Sequence, residues 1–294
     1  MSRYRVLHDT TYRYETPVTS SFGQLCLLPR DFDGQQCTTS SVEIKPAPSD
    51  QRDRVDYFGN RVAYFTVQNP HQVLTISASS EVDVVDDRGW DSGAATSDVA
   101  STQRNVEALQ GKDHVQAANF IVNSPRITVD DRVRSFAVPS FEPGRPILEA
   151  LADLSSRIHR EFGFDAATTT VNSTIDDLFE HGAGVCQDFA HLGVACLRSQ
   201  GIPARYVSGY LETIPPPGME KLVGADVSHA WVSALVPDLG WVDIDPTNDQ
   251  FVNGRYITTG WGRDYGDVSP LKGVVYSDGG TTTLDVSVDV RRID

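Results

Sequence analysis

The chain has 294 residues, 40 acidic against 25 basic, and a net charge of −15, which disfavours nucleic acid and anionic membrane as partners because both call for local positive charge. Hydrophobic residues make up 39% and charged residues 22%, the balance of a globular protein, and no run approaches the ~18 apolar residues of a membrane span. The opening Met1-Ser2-Arg3-Tyr4-Arg5-Val6 reads as a strand and lacks the apolar core of a signal peptide, so the expected compartment is the cytoplasm.

Alternating and β-branched residues predict short strands at Tyr4–His8, Gln24–Leu28, Thr38–Lys45, Arg54–Tyr57, Arg61–Gln68 and Val73–Asp83. Turn signals at Thr16-Pro17, Asp33-Gly34, Pro46 to Pro48, Gly59-Asn60 and Asn69-Pro70 separate them, a pattern that suggests an antiparallel sandwich. Residues 86–104, rich in Asp, Ser, Gly and Thr, read as a linker. Helical periodicity follows over Pro146–Phe162, and Ser173–Glu180 reads as a short helix with Ser173 and Asp176 as its capping pair. Val185–Gln200 is the central helix, stopped by Gly201-Ile202-Pro203. Strands are expected at Ala204–Leu211, His229–Val236, Trp241–Asp245 and Leu284–Val290, with the proline-rich Ile214–Gly218 as a loop near the site.

The cysteines are Cys26, Cys37, Cys186 and Cys196. None forms a CxxC pair, so no zinc site is expected, and a cytosolic setting argues against a Cys26–Cys37 disulfide. A metal site from His181, Cys186 and His191 lacks tight ligand spacing. Cys196, ~80° around the helix from Cys186, reads as a packing residue.

Cys186 stands where Gly182-Ala183-Gly184 runs into the central helix. The positive end of a helix stabilises a thiolate, and the glycines leave room for a substrate. First-turn N–H groups at Cys186 and Gln187 are placed to hold an oxyanion. His229 begins a strand and Asp245 ends its neighbour, a spacing that suits a hairpin turning near Pro237–Gly240 and sets imidazole against carboxylate. Asp243 shares a face with Asp245, and position alone does not choose between them. His191 is a competing base, although its spacing on the helix points it away from Cys186. Asp188 is expected to pair with Arg205, and Trp231 and Trp241 to wall the site.

These residues resemble the bacterial transglutaminase-like (transglutaminase/protease) superfamily. The matching stretches are Gly184-Val185-Cys186-Gln187-Asp188-Phe189-Ala190-His191, Gly201 to Tyr210, Ser228-His229-Ala230-Trp231, Asp245-Pro246-Thr247-Asn248 and Gly262 to Pro270. The Tyr57-Phe58-Gly59-Asn60 turn resembles the β domain that precedes this core in the bacterial subfamily. The resemblance implies an α+β fold: an N-terminal antiparallel β-sandwich with linker over residues 1–100, then a papain-like core over 101–294 with a central helix packed on an antiparallel sheet. It also implies Cys186 as nucleophile, His229 as base and Asp245 as orienting acid. Gly184, Gln187, Trp231 and Trp241 become candidates for the oxyanion site and cleft.

No cofactor or metal is implied, and calcium is not called for by any acidic loop. The expected partner is a peptide or protein substrate; the oligomeric state is open. The activity so implied is acyl transfer from an amide through a thioester, ending in hydrolysis or in transfer to an amine. A non-catalytic peptide-binding module on the same fold is the alternative from another class.

Overall fold

The computed structural model describes residues 1–90, 97–214 and 228–294. Residues 91–96 of the expected linker and 215–218 of the proline-rich loop fall outside the described residues.

The N-terminal part is antiparallel β throughout, with β1 (Ser2–Leu25), β2 (Gln35–Lys45), β3 (Asp50–Val55), β4 (Arg61–Val67) and β5 (His71–Val84). They form one curled sheet in the order β2-β5-β1-β4-β3. The expected break at Thr16-Pro17 does not end β1. Pairing with β5 instead shifts register between Arg13 and Val18, an irregularity that accommodates a proline without a ladder N–H. The first half of β1 therefore lies beside β5 and the second half beside β4.

Helices follow: α1 (Val99–Glu107), α2 (Gly111–Asn119), α3 (Asp131–Ala137) and α4 (Ile147–Glu161). The linker expected over 86–104 is corrected at its end, because Asp98 caps α1 by accepting the Ser101 N–H at 2.7 Å. The two-residue strands β6 (Gly163–Phe164) and β7 (Ala183–Gly184) pair in parallel around α5 (Ile175–His181). Its cap is Thr174 with Asp177, one residue beyond the expected Ser173 pair; the Ser173 hydroxyl instead accepts the Thr170 N–H.

The central helix α6 (Cys186–Ser199) is buried on all sides from Gln187 to Arg198, the pattern of a core helix. It packs on a five-stranded sheet of β8 (Ala204–Leu211), β9 (Ser228–Val236), β10 (Gly240–Asp245), β11 (Gln250–Phe251) and β12 (Tyr256–Gly262), in the order β11-β10-β9-β8-β12. Ala230, Val232 and Ala234 of β9 join α4 and α6 in the main core, with Cys196 fully buried among them. Gly193 lets α6 approach this face: a Cβ there would lie 2.8 Å from Val232. The opposite face carries Val207, Trp231 and Tyr256 in a separate cluster.

After α7 (Tyr265–Val268), β13 (Leu271–Ser277) and β14 (Thr282–Arg292) return to β1, pairing with its second and first halves. A division at residue 100 groups both strands with the core; their pairing places them in the N-terminal sheet. Two side chains join the sheets by imitating backbone. Asn60, in the turn singled out above, donates to Trp261 O and accepts the Trp261 N–H, each at 2.9 Å. Gln35 does the same for Thr258 at 2.8 Å. Among the described residues no helix is long and apolar enough to cross a membrane.

Candidate active site

The start of α6 is fixed by its own sequence. Gly182 ends α5 in the left-handed region at φ 66°, and Val185 is extended before the helix begins. The Asp188 carboxylate accepts the Val185 N–H at 2.9 Å and the Thr169 hydroxyl at 2.8 Å, while the Asp188 N–H donates to Val185 O. A Cβ at Gly184 would lie 2.8 Å from Asp188 Oδ2, so the glycine gives this carboxylate its room. Cys186 thus becomes the first helical residue, its thiol free and half-buried.

The expected Asp188–Arg205 pair does not form. Asp188 turns back on its own helix terminus, and Arg205 stacks over Trp241, 3.4 Å from the ring centroid. Burial pushes the Asp188 carboxyl up against the lowering pull of Val185 and Thr169.

The β9–β10 hairpin brings His229 Nε2 within 2.7 Å of Asp245 Oδ2, and both residues are buried. The same oxygen accepts the Tyr256 hydroxyl and the Asn248 amide, each at 2.6 Å. Oδ1 accepts the Thr247 N–H at 2.9 Å. Burial alone would raise the Asp245 pKa, yet these donors hold it below the usual carboxylate value. For His229, burial opposes the charged form. The Asp245 carboxylate and the Cys186 side chain outweigh it and raise the imidazole to about 10. With Nε2 given to Asp245, Nδ1 is the ring nitrogen left for the sulfur.

Other sequence candidates are placed as follows. Asp243 pairs with Arg88 at 3.2 Å rather than with His229. His191 is buried, accepts the Tyr265 N–H at 3.2 Å, and is lowered by burial to about 3. The Gln187 amide donates to Val171 O at 3.3 Å. Trp231 is fully buried beside His229, with ring centroids 6.2 Å apart, and packs edge-on to Tyr256. It is a floor rather than an exposed wall. Trp241 is corrected outright: at the other end of β10 it packs on Arg205 and Phe120.

Sequence reasoning missed Tyr256 and Thr169. The β-branched run after Tyr256 was an available strand signal; Thr169, in irregular chain, had none.

The chain is similar to known proteins in both of its parts. The bacterial transglutaminase-like N-terminal region matches residues 4–83, and the transglutaminase-like superfamily core matches residues 134–246. Uncharacterized proteins of Mycobacterium bovis and Mycobacterium tuberculosis are each 44% identical over 294 residues, spanning 98% of this chain and 92% of theirs. The protein-glutamine gamma-glutamyltransferase of Pseudomonas aeruginosa is 26% identical over 181 residues, 51% of this chain and 27% of that one. In structure, a Cytophaga hutchinsonii chain provisionally named a cysteine protease superposes with a TM-score of 0.78 at 20% identity, covering 100% of this chain and 91% of that one. The fold is thus papain-like. This chain belongs to the transglutaminase-like superfamily, in the bacterial form that carries its own N-terminal β region.

Proposed function

We propose that the protein is a cysteine-dependent acyl-transfer enzyme acting on amide or peptide bonds, with hydrolysis as the outcome. The observation that carries this reading is the His229 imidazole held between the Asp245 carboxylate and the Cys186 side chain, at the start of a buried helix.

In this reading the Cys186 sulfur attacks the amide carbon while the Cys186 backbone N–H and the α6 dipole hold the oxyanion. The C–N bond breaks, the leaving amine takes its proton from His229, and a thioester remains. Water then attacks the thioester, gives a proton to His229, and the C–S bond breaks to release the acid and return the thiolate beside the His229 imidazolium. Asp245 keeps the imidazole oriented and favours its cation. A raised His229 pKa supports this role, since an imidazolium at neutral pH is the partner a thiolate needs.

Transfer to an amine is the second reading, favoured by the glutamyltransferase relative from Pseudomonas. It differs only in the group that attacks the thioester. We keep the cytoplasm as the proposed compartment and a peptide or protein as the substrate. The test is mass spectrometry of peptide mixtures incubated with the wild type and a Cys186→Ala variant, with and without a primary amine. Cys186-dependent fragments support hydrolysis, and Cys186-dependent mass gain from the amine supports transfer. No difference between wild type and variant contradicts both.

A further inference from the structure

A cavity of 570 Å³ lies on the face of the central sheet turned away from α6, where the Phe32–Gly34 turn and the segment after β5 cross it. It reaches the surface at the β9–β10 turn, where Leu239 is exposed. Its volume is that of an ordinary small-molecule site.

Two guanidinium groups line it. Arg205 is 4% exposed and stacked between Trp241 and Trp261, at 3.4 and 4.3 Å from their centroids. Arg88 gives one nitrogen, Nη1, to Asp243. Asp243 is the sole buried carboxylate in the lining among the described residues; Asp33, at the rim, is exposed and screened by water. One buried cation, Arg205, and one partly buried cation, Arg88, therefore face one buried anion. Arg88 Nε, Arg88 Nη2 and Arg205 Nε have no hydrogen-bond partner among the described residues. Buried donors that are left unpaired are costly, and their clustering in one cavity marks a place for acceptors to bind. Planar guanidinium groups suit a planar carboxylate, and aromatic rings supply a flat apolar wall.

We propose that this cavity binds a small aromatic carboxylate, its carboxylate shared by Arg88 and Arg205 and its ring set against Trp90 and Trp241. Phosphate fits the donors but not the walls. The site shares no lining residue with Cys186, His229 and Asp245, so it stands whether or not the catalytic reading holds.

The test uses the full chain, with tryptophan fluorescence and calorimetry reading the binding of benzoate, its neutral isostere benzamide, and inorganic phosphate. Benzoate is expected to saturate with a Kd under about 1 mM, with benzamide and phosphate each at least about tenfold weaker. Arg88→Gln is expected to weaken benzoate by about tenfold, while Cys186 alkylates at the wild-type rate and so reports an intact fold. Asp243→Asn, which removes the competing anion, is expected to tighten it. Should Arg88→Gln fail to fold, the wild-type comparison of benzoate with benzamide still decides. The proposal is overturned by an absence of saturable benzoate binding, by benzamide or phosphate binding as tightly, or by folded Arg88→Gln binding benzoate unchanged.

Discussion

The Tyr256 hydroxyl lies 2.6 Å from Asp245 Oδ2, the oxygen that also receives the His229 imidazole. Gln250 fixes this tyrosine in turn by donating to its oxygen at 2.6 Å. Asp245 is therefore positioned by two strands, β10 that carries it and β12 that braces it. On the proposed reading, Tyr256→Phe is expected to lower kcat by about tenfold with KM unchanged, because the hydroxyl orients Asp245 and not the substrate. A wild-type kcat, or a rise in KM alone, would contradict this.

The pH dependence of stability follows from His229, whose folded value of about 10 stands above an unfolded value of about 6.5. A raised value stabilises the fold fully below the unfolded value and ceases to do so as pH rises through the folded one. The melting-temperature advantage of wild type over His229→Gln should shrink between about pH 7 and about pH 10.5. An advantage that stays constant across that window argues against the raised imidazole.

Asp188 tests the helix start. Removing its carboxylate leaves the Val185 N–H and the Thr169 hydroxyl without their acceptor. Asp188→Ala should cost about 1 kcal/mol, a fall of roughly 2–4 °C in Tm, and should slow alkylation of Cys186. A variant that melts with wild type and labels as fast removes Asp188 from the account.

Gly209 tests how tightly β8 meets β12. A Cβ at this position would lie 2.1 Å from Ile257 O and 2.6 Å from the Trp231 ring, beneath His229. Backbone cannot yield as a flexible side chain does, so Gly209→Ala should cost about 3 kcal/mol or more in chemical denaturation. A loss of a few tenths would show that the strands can part.

The site was legible in the sequence because its parts carry local signals: a glycine-rich turn before Cys186, and a hairpin spacing between His229 and Asp245. The central helix and the hairpin appear where periodicity put them. What escaped depends on distant partners. The α1 segment reads as linker because only Val99, Thr102 and Val106 of its polar sequence are buried. No strand was expected at β13, which is exposed over most of its length and gains its place from pairing with β1 at the other end of the chain. Arg205 was given to Asp188 by charge alone, whereas two tryptophans from separate strands hold it.

Selective alkylation tests the central claim, an activated Cys186 thiol governed by His229. The other cysteines are poor competitors. Burial pushes Cys26 up to about 12 and raises Cys196 further, and Cys37 is also raised, chiefly by burial. Iodoacetamide at neutral pH, read by peptide mass spectrometry, is expected to modify Cys186 first, and at a much reduced rate in His229→Ala. Labelling of Cys186 no faster than Cys37, and indifferent to the loss of His229, would contradict the account.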